Sequence, residues 1–264
     1  MGPLKRKSLR KAAENGDAQA SYALGMHYVG KWRDHFNAQI HLRSDRRLSE
    51  LACLHLRRAA DAGHAEAALQ LARALANKRS RPAGDEKDQF WTNEEERYLA
   101  AAAESGHTHA AFILGAMHLR LARYSDDTSD AERHLRQAAD GGHAKAAYHL
   151  AEWLLRQEGR QADAEHYLRL AADRADADPR ACIDLARILT RTQRSDLAEP
   201  YVRAALDSTY KGRYHHLEPD WMELLGDVLN RTRRRAEANE WYDKARARRS
   251  APNWADDWPD LDGD

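Results

Sequence analysis

The sequence predicts an all-α protein, a right-handed α-solenoid of about six helix-pair repeats with an extra capping helix at its N-terminus. Three observations predict it. Two Ala, a Gly and then a His or Asp recur ahead of an amphipathic stretch centred on Leu. The copies lie about 40 residues apart, a period that means stacked helical units. Small residues also return at fixed heights in each copy, where neighbouring helices must approach closely.

The motif reads Ala12-Ala13-Glu14-Asn15-Gly16-Asp17 before Leu24, and Ala59-Ala60-Asp61-Ala62-Gly63-His64 before Leu71. It returns as Ala102-Ala103-Glu104-Ser105-Gly106-His107 before Leu114, and as Ala138-Ala139-Asp140-Gly141-Gly142-His143 before Leu150. Two degenerate copies follow, Asp178-Pro179 before Leu185 and Glu218-Pro219 before Leu225. The Gly suits the left-handed residue that ends a helix. Asp17 suits the cap of the helix that follows, and Pro in the first turn loses no hydrogen bond.

The elements follow in order. Residues 5–14 have the signature of a second helix without its first, and form a cap with a basic outer face. Units at 17–61, 64–104, 107–140, 143–174, 178–207 and 218–247 each pair a helix A with a helix B. Helix A carries small rows at Ala20, Ala67, Ala110, Ala146 and Ala181, and at Gly25, Ala72, Gly115, Ala151, Ala186 and Gly226. Helix B carries a second apolar stripe, as in Ala164, Tyr167, Leu168 and Ala171-Ala172. Insertions at 30–46, 78–92 and 208–217 lengthen three units. The array occupies 1–249, and Ser250-Ala251-Pro252 stops the last helix. The tail, 250–264, is acidic and holds Trp254, Trp258, Leu261 and five Asp without a basic residue.

The run at 138–151, AADGGHAKAAYHLA, with its cousins at 59–72 and 102–115, resembles the Sel-like repeat of the tetratricopeptide superfamily. The resemblance is strongest over 59–172. It weakens in the fifth and sixth units, where the Gly-His is lost and the chain drifts towards ordinary tetratricopeptide character. The Gly-rich turn common between helices A and B in that family is read as absent. A HEAT-like array of similar period is the alternative architecture, against which the small rows and Gly-His starts count. The resemblance implies use as an adaptor that assembles complexes.

Composition narrows the function classes. The chain has 264 residues, with Lys plus Arg balancing Asp plus Glu at 42 each. A zero sum argues against a protein made to coat nucleic acid or an anionic membrane. Two cysteines, Cys53 and Cys182, are too few for a disulfide framework and read as reduced core thiols of a cytoplasmic protein. No apolar run approaches the roughly 20 residues that span a bilayer.

Fourteen histidines invite a metal reading that their spacing rejects. His64, His107 and His143 share one repeat position, as do His55 and His134, so neighbours stand about 10 Å apart, too far for shared ligation. There is no His-Glu-x-x-His, no Cys-x-x-Cys, no phosphate-binding Gly loop and no nucleophile elbow. The sequence therefore predicts no catalysis, cofactor or metal.

What remains is a binding surface. Counted from the reference Leu, positions −5, −1 and +2 share one face of helix A, the face a solenoid turns to its concave side. They are Glu66, Gln70 and Arg73; Lys145, His149 and Glu152; Arg180, Asp184 and Arg187; and Asp220, Leu224 and Asp227. The third unit gives His109, Ile113 and Ala116. Position +6 is Arg120, Arg156, Arg191 and Arg231, a ridge that suits an acidic partner and also the dipole of the helix ends. The expectation is a non-catalytic scaffold or adaptor that binds a peptide or helix, with the tail as a second docking element through Trp254 and Trp258. Nucleic-acid binding and peptide sensing are the alternatives. Homo-oligomers are expected through the sixth unit or the tail.

Overall fold

A computed structural model describes residues 3–37, 43–79, 92–121, 128–174, 177–208, 214 and 216–250. The tail with Trp254 and Trp258, and most of each insertion's centre, lie outside these residues. Among the described residues there are thirteen helices and no strand. In order they are α1 (Pro3–Glu14), α2 (Ala18–Asn37), α3 (Arg43–Asp61), α4 (Ala65–Arg79), α5 (Asn93–Glu104), α6 (Thr108–Leu121) and α7 (Ser129–Asp140). There follow α8 (Ala144–Leu154), α9 (Gln161–Ala172), α10 (Pro179–Arg191), α11 (Ser195–Asp207), α12 (Glu218–Arg231) and α13 (Arg235–Ser250). The chain forms two compact units, Met1–Gly141 with α1 to α7 and Gly142–Asp264 with α8 to α13. Within each unit every helix packs on its neighbours in sequence, the contact pattern of a helical stack.

The Ala-Ala-Gly-His motif explains the turn from one pair to the next. Gly63 and Gly106 have φ of +84° and +85°, which a residue without a Cβ adopts without strain. The next residue then donates its backbone N–H to the carbonyl five residues back, as His64 does to Ala59 and His107 to Ala102, both at 3.0 Å. This closes helix B with the hydrogen bond of a Schellman turn. The same residue caps the helix that follows. His64 Nδ1 accepts from the N–H of Ala67 and His143 Nδ1 from that of Ala146, each at 3.2 Å. Asp17 and Asp178 fill the same slot with a carboxylate.

The reference residues Leu24, Leu71, Leu114, Leu150, Leu185 and Leu225 are all buried, as are the small residues beside them. Gly115 shows why the row must stay small. A Cβ there would lie 2.6 Å from Leu135 Cγ and 2.9 Å from the Leu135 backbone nitrogen, so α6 and α7 meet backbone to backbone.

Between helices A and B the sequence reading needs a correction. Gly159, with φ of +76°, supplies the turn glycine between α8 and α9. Gln193 and Arg233 take the same left-handed place in the next two turns, with φ of +61° and +67°.

Charged clamps tie successive pairs of the second unit together. Arg194, in the turn before α11, makes two hydrogen bonds to Glu165 of α9, at 2.8 and 2.6 Å. Arg234, before α13, reaches Glu199 of α11 at 2.7 Å. Arg169 and Arg203 support the same two carboxylates from within their helices. The last pair differs on the face that would receive another. Ile183, Thr190 and Leu206, buried in α10 and α11, are replaced by Glu223, Asn230 and Arg246 in α12 and α13. No described helix is long and apolar enough to cross a membrane. Cys53 and Cys182 are both buried and form no disulfide among the described residues, and burial pushes the Cys182 thiol up to about 11.

Candidate functional site

Each unit presents its own stretch of the helix A face. In the first, Gln70 donates to Glu66 Oε1 at 2.7 Å within α4. His107, the residue before α6, reaches Glu66 Oε2 at 2.7 Å, and Arg73 of α4 meets His109 of α6. Burial alone would raise the Glu66 carboxyl, but the bonds from Gln70 and His107 hold it below the ordinary carboxylate value. His64 makes the equivalent link one pair earlier. Since its Nδ1 accepts a backbone N–H, its Nε2 carries the proton and donates to Gln19 Oε1 of α2 at 2.9 Å. The predicted members Glu66, Gln70, Arg73 and His109 thus come together. Arg120 lies exposed in the last turn of α6.

The second unit holds the denser cluster. Asp178, the cap of α10, binds the Arg180 guanidinium with both carboxylate oxygens, at 3.1 and 2.8 Å. The guanidinium also lies over two rings, 5.0 Å from the centroid of Tyr148 and 5.2 Å from that of Tyr214. Tyr148 donates its hydroxyl to Asp184 and Tyr214 donates to Asp178, each at 3.4 Å. His149 stands 3.3 Å from Glu152, and Arg187 bonds Asp184 at 3.2 Å. Burial pushes Asp178 up, yet the Arg180 bonds outweigh it and hold its carboxyl low. Burial dominates at Asp184, whose carboxyl is raised, with nearby Glu152 adding to the rise. Burial likewise raises the Tyr148 phenol, so this hydroxyl is a donor and never a phenolate near neutrality.

Lys145 and Arg187 project from this cluster, both exposed. Arg191 and Arg231 are the last residues of α10 and α12, and Arg156 lies two residues past the end of α8. All three are exposed and carry no ion pair among the described residues. The sixth unit departs from the predicted ladder. Asp227 accepts from Tyr242 of its own helix B at 2.7 Å, and Asp220 accepts from Arg249 at 2.5 Å. These two carboxylates join α12 to α13 instead of extending a free face.

Sequence reasoning missed three participants. Tyr148 and Tyr214 lie off the predicted stripe, and Asp178 enters the sequence reading only as the start of a degenerate copy. The available signal was Asp178-Pro179-Arg180, since a capping carboxylate two residues before an Arg can hold its guanidinium. Among the described residues no three His, Cys, Asp or Glu side chains converge as metal ligands would.

The helix pairs, their junctions and their buried Leu and small-residue rows define an all-α helical-repeat fold like that of Sel1-like repeat proteins. Among solved structures the chain is similar to a protective antigen of uropathogenic Escherichia coli strains that displays a Sel1-like repeat fold. That likeness has a TM-score of 0.58 at 21% identity, over 91% of this chain and 48% of the antigen. It is also similar to a Sel1 repeat protein from Oxalobacter formigenes, with a TM-score of 0.64 at 21% identity, over 94% of this chain and 67% of that one. The chain spans about half the length of the antigen. No protein-family model and no curated protein matches the sequence.

Proposed function

We propose that the protein is a non-catalytic scaffold that binds a peptide or helix of a protein partner on its helix A face, in the cytoplasm. The observation that carries this is the clustering around Arg180 in the second unit. Its side chains are held by one another before any partner arrives, which lowers the ordering cost of binding. Around that fixed centre Lys145, Arg187 and Arg191 stay exposed, offering charge that a partner can meet. The repeat fold supports the reading, because stacked helix pairs present extended faces suited to polypeptide segments. Buried, unbridged thiols at Cys53 and Cys182 accord with a reducing compartment.

The test is capture from the cells that make the protein, comparing the natural chain with Lys145→Glu/Arg187→Glu. Both positions are exposed, so the helical melt should be kept. The expected result is a defined protein partner recovered at least about tenfold less by the variant, a loss of roughly 1.4 kcal/mol. Recovery of the same proteins in the same amounts by both would reject this face as the site.

A further inference from the structure

The five Asp of residues 251–264 are matched by a charge deficit elsewhere. Without them, 42 basic residues face 37 acidic ones, so residues 1–250 carry a net charge of +5 and the last fourteen carry −5. Most cations of the second unit are already engaged. Arg169 and Arg194 hold Glu165, Arg203 and Arg234 hold Glu199, and Arg246, Arg248 and Arg249 pair with Asp243, Glu218 and Asp220. Those exposed and without an ion pair among the described residues include Arg156, Arg191 and Arg231, at the C-terminal ends of three successive A helices, with Arg233 and Arg235 beside the last. Glu158 and Asp196 are near them in sequence, and neither pairs with them.

We propose that residues 251–264 dock in cis along this arginine rim, occupying it as an internal acidic ligand. The departure point fits. Arg249 is bonded to Asp220 in the first turn of α12, so the chain leaves Ser250 beside the N-terminal end of that helix. From there to Arg231 is the length of α12, fourteen residues or about 21 Å. Asp256 and Asp257 follow Ser250 by six and seven residues, about 20–23 Å of extended chain. Arg191 and then Arg156 lie further along at about 10 Å steps, the interhelical spacing. Asp260 and Asp264 follow at intervals of about 10–13 Å of chain. The register therefore delivers a carboxylate to each arginine in turn, and fourteen residues span the whole path. Docking also blocks the rim until a stronger acidic segment displaces the chain's own. This rests on the reading of the helix A ends as a surface for acidic segments. It is measured inside one molecule, so failed docking and failed partner capture are told apart.

The test is amide hydrogen exchange of residues 251–264 in the full-length chain, read by mass spectrometry against a free peptide of the same sequence. The expected result is exchange at least about fivefold slower in the protein, lost at about 1 M salt and independent of protein concentration. Arg156→Gln/Arg191→Gln/Arg231→Gln should return the segment to the peptide rate. So should Asp256→Asn/Asp257→Asn/Asp260→Asn, which leaves every described helix unchanged in sequence. Exchange at the peptide rate in the natural chain, or protection surviving both variants, would overturn the proposal. Protection that grows with concentration would overturn it too, since the occupant would then be the tail of a second copy.

Discussion

His55 and His134 stand at the same height in α3 and α7, each stacked on an aromatic ring of the preceding helix A. Tyr28 lies 5.7 Å from His55, and His118 lies 5.7 Å from His134. Burial first, then Arg58 and Arg10, hold the His55 imidazole below its ordinary value. Burial, Arg133 and His118 do the same at His134, against a weaker opposing pull from Asp130 and Gln137. Unfolding returns both to about 6.5, so the unfolded chain takes up protons first as pH falls. Stability should be full above about pH 7 and drain away as pH drops through 6.5 towards the depressed folded values. Melting temperature measured from pH 7 to pH 5 should fall, and His55→Gln/His134→Gln should flatten at least about half of that fall. An equal slope in both proteins would exclude these rings as the cause. The recurring His of the Gly-His starts was legible as a repeat position, but its duties were not. Histidine ranks low among helix caps, and only Asp17 and Asp178 in the same slot hinted that His64 and His143 accept a backbone N–H there.

Helix periods, starts and buried rows were open to reading because each follows from local chemistry. Leu24 through Leu225 repeat at one height, and the glycine of each Ala-Ala-Gly start lies where the backbone turns left-handed. What the pattern hid was how closely paired helices meet. Glycine and alanine alternate freely in the row of Gly25, Ala72, Gly115 and Ala151, yet the glycines mark the tighter approaches. Gly115→Ala would force its Cβ against the backbone of Leu135 and should cost about 1–3 kcal/mol, as overpacked cores do. Ala151→Gly removes a methyl instead and should cost about 1 kcal/mol through helix propensity. Urea unfolding compares the two, and a neutral Gly115→Ala would mean that α6 and α7 separate at no cost. The left-handed turns at Gln193 and Arg233 were illegible for the opposite reason. No glycine announces them, and they are held by Arg194 and Arg234 donating backbone N–H groups to Leu189 and Leu229.

Over the second unit as a whole, the carboxylates of Glu165 and Glu199 tie each pair to the next. Their signal was present in the sequence as Glu-x-x-x-Arg at 132–136, 165–169 and 199–203, with Arg160, Arg194 and Arg234 following. It went unread because partner choice depends on which B helices become neighbours, and that emerges only from stacking. Each half-exposed pair is worth up to about 1 kcal/mol, so Glu165→Gln/Glu199→Gln should cost about 1–2 kcal/mol. In a stack the loss falls on coupling between pairs, so the urea transition should become shallower as well as earlier. An unchanged midpoint and slope would show the clamps to be ornamental.

The polar residues facing outward from α12 and α13 have a consequence for the protein in a crowd of its own copies. A repeat chain whose last surface matched its inner ones would be a template for the first surface of the next molecule, and such contacts propagate as open fibres because nothing closes them. Glu223, Asn230 and Arg246 withhold the apolar patch that this growth requires. Three polar side chains at this edge thus weaken any stacking of a second copy upon it.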